Sequence, residues 1–345
     1  MKIIAHLFLI AGLIGSVLSP PARAEAPQVN IQYREQVTAF FAEADAHFHF
    51  DIATSSEVAG TVMWTLVANG RVLASGEVDA RPTPDTPAVL SIERRLPTLR
   101  EGVAFPLQLK VAFRSTDDKK PLHEIVQELW LLSDNPFADR QKWLDSLEIQ
   151  LFDPVGDTAA AFQKLDVSFN QRHNADALSE LSQGTVIIGE GTSLKDYPSL
   201  AKALPALAMR GVNVICFAAS DGELLLPMQA SDDNRAADQF SLRRIDVVGQ
   251  LDKRLRSPRW VPDESVELRE LSVRAAQSQI AGEIVEAGKG WPWLEVHYSQ
   301  PSGRFVYCGF GLIKAWDQSP VPRYLLARLL EALPQETADR MESAD

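Results

Sequence analysis

Carboxylates and small residues follow two of the most apolar stretches of the chain, TVIIG and VICFAAS, which end at residues 189 and 220. A pair of carboxylates is what a glycosidase or another acid–base hydrolase needs. Glu190 and Asp221 could form such a pair, with Ser220 beside them. They could equally be solvated turn residues, and we favour that interpretation. The candidate ligand-binding residues at the strand ends are Asp153, Gly189, Glu190, Gly191, Asp221 and Gly222.

The segment from residue 185 to residue 221 predicts the order strand, helix, strand. An amphipathic stretch that closes at Gly211 separates its two apolar runs. Apolar runs of this kind are typical of buried parallel strands, whose carboxyl ends bind ligands. LEIQLFD and DTAAAFQKL extend the alternation upstream, and PVPRYLLARLLEAL predicts a last helix. We therefore predict a flavodoxin-like, doubly wound parallel sheet.

The chain between this unit and the last helix is less regular. GELLLPM, ELRELSV, WLEVHYS and GRFVYCGF predict strands, and a helix is expected around Val247 to Leu255.

From about residue 28 to residue 133, apolar and polar residues alternate. FPLQLKVAF and AHFHFDIA each place every second side chain on one apolar face, which is typical of a half-buried strand. Asn69-Gly70 lies between VMWTLV and RVLASGEV and predicts a tight hairpin, because both residues tolerate positive φ. About seven such strands predict an all-β sandwich of immunoglobulin-like or fibronectin-like type.

His47, His49 and Asp51 share the polar face of AHFHFDIA. Two imidazoles at this spacing can hold a metal ion if a neighbouring strand supplies a third ligand. No third ligand is evident in the sequence. We therefore favour solvated residues on the outer face of the sheet, and no cofactor is expected.

The first 24 residues have the three-part layout of a secretory signal peptide. Lys2 precedes an apolar run from Ile3 to Val17, and Ala22-Arg23-Ala24 supplies a cleavage site. The alternative is an uncleaved anchor, but the apolar run is short for a span of about 20 residues. We expect an exported protein, periplasmic or extracellular, with no stable membrane span after cleavage.

The formal net charge is −12, with 34 basic and 46 acidic residues. An acidic surface repels phosphate, so nucleic-acid binding is not expected. Cys216 and Cys308 lie inside predicted strands. We favour two buried thiols over a bond between them, because a bond needs close Cα atoms and suitable Cβ directions.

TVIIGEG, RGVNVICFA and GRFVYCGF, the last followed by a helix, carry a resemblance to a known family. In topology and apolar rhythm, residues 147–333 resemble the class I glutamine amidotransferase-like group, in particular its trehalose-utilisation-type and β-galactosidase-trimerisation-type branches. Active members hold a cysteine in Gly-x-Cys-x-Gly and a downstream His-x-Glu. Here Cys216 lacks both glycines and His297 stands in Val-His-Tyr. Glutaminase activity is therefore not expected.

Two further sets of residues are candidates for chemistry. Ser220 could be approached by His297, but the Gly-x-Ser-x-Gly setting of a serine hydrolase is missing, and a helix cap or turn is favoured. Lys314, Trp316, Asp317 and Arg323 flank the loop into the last helix. Trp316 could stack on a sugar or dock a partner, and alternatively it covers the core edge while Asp317 begins the helix.

We predict a signal peptide at 1–24, a β-sandwich domain at 25–133, a linker at 134–146, an amidotransferase-like α/β domain at 147–333 and a polar tail at 334–345. Because a nucleophile is missing, the leading hypothesis is a non-catalytic binding or interaction protein of the cell envelope. Its partner would be a small molecule, a carbohydrate or an envelope protein. The alternative is a secreted hydrolase, glycosidase-like or esterase-like, that uses Glu190 and Asp221.

Overall fold

The computed structural model describes residues 27–227, 237–269, 272–276, 285–287, 292–299 and 301–334. The predicted signal peptide lies outside the described residues, as does the predicted polar tail beyond Pro334. None of the described helices is both long enough and apolar enough to cross a bilayer.

Eight strands form the N-terminal part of the described chain. They pack as a five-stranded sheet in the order β2-β8-β7-β4-β5 and a three-stranded sheet in the order β1-β3-β6. The strand bounds are β1 Val29–Tyr33, β2 Ala39–Phe41, β3 Asp45–Thr54, β4 Gly60–Ala68, β5 Arg71–Ala80, β6 Ala88–Arg95, β7 Ala104–Ser115 and β8 His123–Leu132.

The two sheets bury one face each, as the alternating pattern predicts. Every second residue of β3 is buried, and Phe48 and Phe50 pack in one core with Val111 and Phe113 of β7. Asn69 and Gly70, at φ of 47° and 77°, form the turn between β4 and β5. The predicted β-sandwich is confirmed.

The C-terminal part alternates helices and strands. The helix bounds are α1 Gln141–Ser146, α2 Asp157–Gln163, α3 Pro198–Met209, α4 Asp246–Leu251 and α5 Pro320–Glu331. The strand bounds are β9 Ile149–Phe152, β10 Asn170–Arg172, β11 Thr185–Ile188, β12 Asn213–Phe217, β13 Glu223–Pro227, β14 Gln239–Arg243, β15 Ser272–Ala276, β16 Val285–Ala287, β17 Trp293–Ser299 and β18 Ser302–Cys308.

A seven-stranded sheet in the order β10-β9-β11-β12-β18-β17-β14 carries this part of the chain. β10, β9, β11, β12 and β18 run parallel to one another, and every residue of β11 and β12 is buried. α3 packs on one face of the sheet, whereas α2 and α5 pack on the other. The predicted α/β fold with a mostly parallel sheet is therefore confirmed.

Three local features differ from the sequence-based expectation. β17 and β14 are antiparallel to their neighbours, so the sheet is mixed at one edge. β13, β15 and β16 form a separate three-stranded sheet. The helix expected around Val247 to Leu255 divides into α4 and a 3₁₀ turn, because Asp252 has extended backbone angles and its side chain accepts a hydrogen bond from the Arg254 amide.

The sandwich contacts the α/β part through the start of α5. The Arg323 side chain lies over the Phe41 ring of β2, with its guanidinium carbon 4.6 Å from the ring centroid. Its Nη1 donates to the Asp134 carbonyl at 2.9 Å, and the Ser133 and Tyr324 hydroxyls are 2.8 Å apart. These contacts join β2, the segment after β8 and α5. The predicted domain and linker boundaries remain predictions.

Candidate functional site

The carboxyl ends of four parallel strands meet at one edge of the seven-stranded sheet. Asp153 follows β9, the Gly189–Gly191 turn follows β11, and Ser220 and Asp221 follow the end of β12. β18 supplies the fourth end, which leads into the loop before α5. The structure therefore brings the ends of the predicted strands to a common edge.

Glu190 joins the turn after β11 to the loop after β18. Its Oε2 accepts a hydrogen bond from the Ile313 amide at 2.8 Å, and its Oε1 accepts one from the Lys314 amide at 3.4 Å. The Glu190 amide in turn donates to the Thr158 hydroxyl in α2 at 2.9 Å. Glu190 is half-buried at the meeting point of three segments.

Burial is the largest influence on the Glu190 carboxyl, and it raises the pKa because the charged form loses hydration. The amides of Ile313 and Lys314 oppose this effect by stabilising the carboxylate. The negative charge of Glu267 adds to the increase. The net result is a pKa above the usual glutamate value, which is a property of some catalytic acids and bases.

Asp221 makes its contacts on another loop. Its Oδ1 accepts a hydrogen bond from the Ser193 hydroxyl at 2.5 Å, and its carbonyl accepts one from the Leu194 amide at 3.1 Å. The neighbouring Ser220 amide donates to the Thr192 carbonyl at 3.1 Å. Asp221 therefore ties the segment after β12 to the segment after β11, and its hydrogen-bond partners differ from those of Glu190.

Asp153 caps the first turn of α2 from the end of β9. Its Oδ2 accepts a hydrogen bond from the Ala159 amide at 2.8 Å, and the residue is buried. The other oxygen faces Gly189 so closely that a Cβ there would lie 2.4 Å from Oδ1. Gly189 is therefore required by the close approach of a carboxylate rather than by its own backbone angles.

Gly189→Ala should lower the free energy of unfolding by about 2 kcal/mol, because the added methyl group displaces the Asp153 carboxylate from the Ala159 amide. Asp153→Ala alone should cost about 1 kcal/mol through the lost cap. Urea denaturation of both single variants and of the double variant tests this coupling. The double variant should lose less than the sum of the single losses, and strictly additive losses would contradict the proposed steric conflict.

Sequence reasoning missed one acidic residue of this region, Glu267. Lys314 Nζ lies 2.8 Å from Glu267 Oε2, and Arg269 Nη2 lies 3.2 Å from Glu267 Oε1. The hydrogen bond from Lys314 is the largest influence on Glu267 and lowers its pKa. Glu190 and Glu267 thus interact through their charges while their pKa values shift in opposite directions. Glu267 begins the ELRELSV stretch, which predicts a strand, but nothing in that pattern marks Glu267 as a site residue.

Glu190→Gln should remove a pH dependence of stability. A folded-state pKa above the unfolded value stabilises the fold below the unfolded pKa, and this contribution is lost as the pH rises through the folded pKa. The stability difference between wild type and Glu190→Gln should therefore fall as the pH rises across the carboxyl range. Guanidinium denaturation between about pH 4 and pH 8 measures it. A pH-independent difference would contradict the assignment.

Trp316 and Asp317 lie at the loop before α5. Trp316 is 2% exposed and packs near Phe162, so its ring lies in the core edge and offers no open face for stacking on a sugar. Asp317 pairs with Lys164 at 2.5 Å and with Arg323 at 3.0 Å. Asp317 thus holds the loop against α2 and α5.

Cys216 lies fully buried inside β12, and burial raises the pKa of its thiol to about 12. Its Sγ is 3.5 Å from the Phe217 carbonyl, to which it donates. His297 is on the opposite face of the sheet, since Val296 shares the apolar core of Cys216 and neighbouring residues of a strand alternate. The thiol therefore has neither solvent access nor this histidine as a base. Cys308 is also free and buried, and burial raises its pKa.

His47 and His49 each face a different carboxylate. His47 Nδ1 lies 3.7 Å from Glu93 Oε1, whereas His49 Nδ1 contacts Glu35 Oε1 and its amide donates to Glu35 Oε2 at 2.9 Å. Among the residues that the structure describes, no group of three or more His, Cys, Asp or Glu side chains could hold a metal ion. The two imidazoles thus have separate local contacts.

A β-sandwich followed by a mostly parallel α/β sheet defines the general class of this chain. No family model and no curated protein matches it. Its solved structural neighbours include a protein described as a β-galactosidase from Bacteroides fragilis, with 10% identity, a TM-score of 0.23 and coverage of 58% of this chain and 29% of that one. A β-glucuronidase from glycoside hydrolase family 2 matches at 10% identity and a TM-score of 0.21, covering 59% and 21%.

A cycloisomaltooligosaccharide glucanotransferase from Paenibacillus sp. matches at 6% identity and a TM-score of 0.27, covering 56% of this chain and 27% of that one. The chain therefore spans less than a third of each of these three proteins. The similarity to glycosidase-type multidomain proteins is distant and establishes no specific function.

Proposed function

We propose that this protein is an exported, non-catalytic binding protein of the cell envelope whose α/β domain is a degenerate member of the class I glutamine amidotransferase-like group. The observation that carries the proposal is that the side chains at the strand ends make structural contacts. Glu190 and Asp221 each hold a neighbouring loop, and Cys216 is fully buried. These residues stabilise the structure at the sheet edge, and none of them is an activated nucleophile.

The exposed part of this edge has the chemistry of a weak carbohydrate site. Val155 is 53% exposed beside Gly191, and Ser220 and Asp221 are exposed next to Ser193. An apolar contact beside hydroxyl and carboxylate groups suits a sugar, which presents C–H faces and hydroxyl groups together. A carbohydrate is therefore the proposed ligand class, with an envelope protein as the other partner.

A glycan array followed by calorimetry tests binding at this edge. Val155→Asp and Ser220→Ala should weaken binding of a captured glycan, whereas Val126→Asp should not, because Val126 is similarly exposed on β8 of the sandwich. Equal weakening by all three changes, or no glycan binding, would contradict the proposed site. N-terminal sequencing of the native protein tests export, since retention of Met1 contradicts a cleaved signal peptide.

A second candidate function is a hydrolase that uses Glu190. The observation that favours it is the opposite shift of the Glu190 and Glu267 pKa values, which is typical of an acid and a base in one site. A screen on glycoside, ester and glutamine substrates tests it. Activity that disappears in Glu190→Gln and Glu267→Gln, but persists in Asp118→Asn on the sandwich, would overturn the binding-only proposal.

A further inference from the structure

A small cavity lies beside Glu267, next to the loop that joins β18 to α5. Its volume is about 30 Å³, which is room for one water-sized group. Gly311 lines the cavity, and a Cβ built there would lie 3.2 Å from Glu267 Cβ and 3.8 Å from Glu190 Oε1. The cavity therefore adjoins the sheet edge that carries the candidate site. Its walls include Trp260, Val266, Glu267, Gly311, Lys314 and Gln318.

Trp260 is a buried wall of this cavity with an unused hydrogen-bond donor. The residue is 3% exposed, and its Nε1 has no hydrogen-bond partner among the residues that the structure describes. Its ring packs against Phe310, with the two ring centroids 5.9 Å apart, in the core that packs against α5. A buried indole N–H usually has a partner, because an unsatisfied buried donor is unfavourable. The free Nε1 therefore favours an acceptor atom in the cavity.

Glu267 supplies an acceptor on the same cavity. Its Oε2 is buried and lies 2.8 Å from Lys314 Nζ. A carboxylate oxygen has two lone pairs, so Oε2 retains one for a second donor. The hydrogen bond from Lys314 lowers the pKa of Glu267, which keeps this carboxyl ionised at neutral pH. The loop also holds Glu267 in place, because the Gly311 amide donates to the Glu267 carbonyl at 3.0 Å.

We propose that this cavity binds one hydroxyl group of a carbohydrate ligand. A hydroxyl group both accepts and donates, so its oxygen accepts from Trp260 Nε1 while its hydrogen is donated to Glu267 Oε2. An ammonium group has no acceptor for the indole N–H, and the charge of Glu267 repels an anion. The inference rests on the carbohydrate ligand of the proposed function, and it adds the place where one hydroxyl group of that ligand is recognised.

A site of this kind is selective for the hydroxyl group. A deoxygenated sugar leaves both the indole N–H and the carboxylate oxygen without this partner, which is how a buried polar site rejects an analogue. A methoxy group at the same ring position accepts but cannot donate to Glu267. We therefore expect specificity at a single position of the sugar ring.

Calorimetry with a glycan captured on the array, and with its monodeoxy analogues, tests the proposal. The wild type should bind one of the analogues about tenfold more weakly than the parent glycan. Trp260→Phe keeps an aromatic ring but removes the N–H, so it should bind the parent about tenfold more weakly and should no longer distinguish that analogue. Trp64→Phe is the matched control, because Trp64 is 7% exposed in the core of the sandwich, and its affinities should equal those of the wild type.

Glu267→Leu is a second variant, which lacks the acceptor and should lose the same discrimination. Circular dichroism shows whether each variant is folded. If both cavity variants bind the glycan as the wild type does, while Val155→Asp weakens binding, the cavity holds only water and the inference is overturned although the proposed function stands. A Trp260→Phe variant that still rejects the same analogue also overturns it, as does a wild type that binds every analogue like the parent. An array that captures no glycan overturns the carbohydrate ligand and this inference together.

Discussion

Arg304→Met should lower the free energy of unfolding by about 3–5 kcal/mol at neutral pH, the cost of leaving a buried charge without its partner. Arg304 Nη2 contacts Glu295 Oε1, and both residues are buried. Nη1 donates to the Ala332 carbonyl at 2.5 Å, which attaches the end of α5 to the sheet. Methionine retains most of the apolar volume but removes both contacts.

The decrease in the free energy of unfolding caused by Arg304→Met should depend on pH. Burial alone would raise the pKa of Glu295, but the charge of Arg304 and the hydrogen bonds from His297 and Trp293 lower it. A lowered pKa stabilises the fold above the unfolded value, and this contribution is lost as the pH falls through the folded pKa. In Arg304→Met, burial should dominate and raise the pKa of Glu295. In acid the carboxyl is then protonated, which removes the cost of an unpaired buried charge. The gap between the two proteins should therefore narrow as the pH falls.

Urea denaturation at several pH values measures this gap. Glu295→Leu combined with Arg304→Met should be more stable than Arg304→Met alone, because the unpaired carboxylate is gone. Arg34→Met is the matched control, since Arg34 pairs with Asp51 at 2.5 Å on the exposed face of the sandwich and its loss should have little effect. Equal losses in the two arginine variants would contradict the role of burial.

Arg323→Met should destabilise the junction between the sandwich and α5 by about 2–4 kcal/mol. The buried guanidinium donates to the Trp316 carbonyl at 2.8 Å, the Asp134 carbonyl at 2.9 Å and the Asp317 carboxylate at 3.0 Å. Methionine would leave the two carbonyls without this donor. It would also remove the cation from the Phe41 ring.

Lys164→Met supplies the matched control for Arg323→Met. Lys164 pairs with the same carboxylate, Asp317, at 2.5 Å, but its side chain is 57% exposed. Loss of a solvated pair should change stability little. Differential scanning calorimetry should show a clear decrease in Tm for Arg323→Met and almost none for Lys164→Met. Similar decreases would mean that the ion pair, rather than the buried carbonyl contacts, carries the effect.

The sequence predicts the architecture well where periodicity is unambiguous. The alternation in AHFHFDIA indicates β3, and the apolar TVII run indicates β11, because burial of one face or of both faces leaves different patterns. The common edge of the parallel strands follows from the same reasoning, since their carboxyl ends must converge. The positions of Asp153 and of the Gly189–Gly191 turn could therefore be predicted from the sequence.

The contacts of the candidate site could not be predicted from the sequence. Glu190 binds amides at Ile313 and Lys314, which are more than 120 residues away and carry no sequence signal for such a contact. The polar residues Glu295 and His297 suggest a partly solvated strand. Glu295 is nevertheless buried in β17, where it pairs with Arg304, which lies directly opposite His297 on β18. Long-range side-chain pairing of this kind is decided by the fold and not by local pattern.

The two thiols provide separate reporters for the two faces of the α/β sheet. Cys216 lies in the core that packs against α3, whereas Cys308 lies in the core that packs against α5. Phe217, not Cys216, is the register partner of Cys308 on the neighbouring strand, so the two sulfur atoms are on opposite faces and a disulfide would require the sheet to open. Native-state labelling of each thiol in turn therefore distinguishes simultaneous melting of the two helical layers from release of one layer before the other.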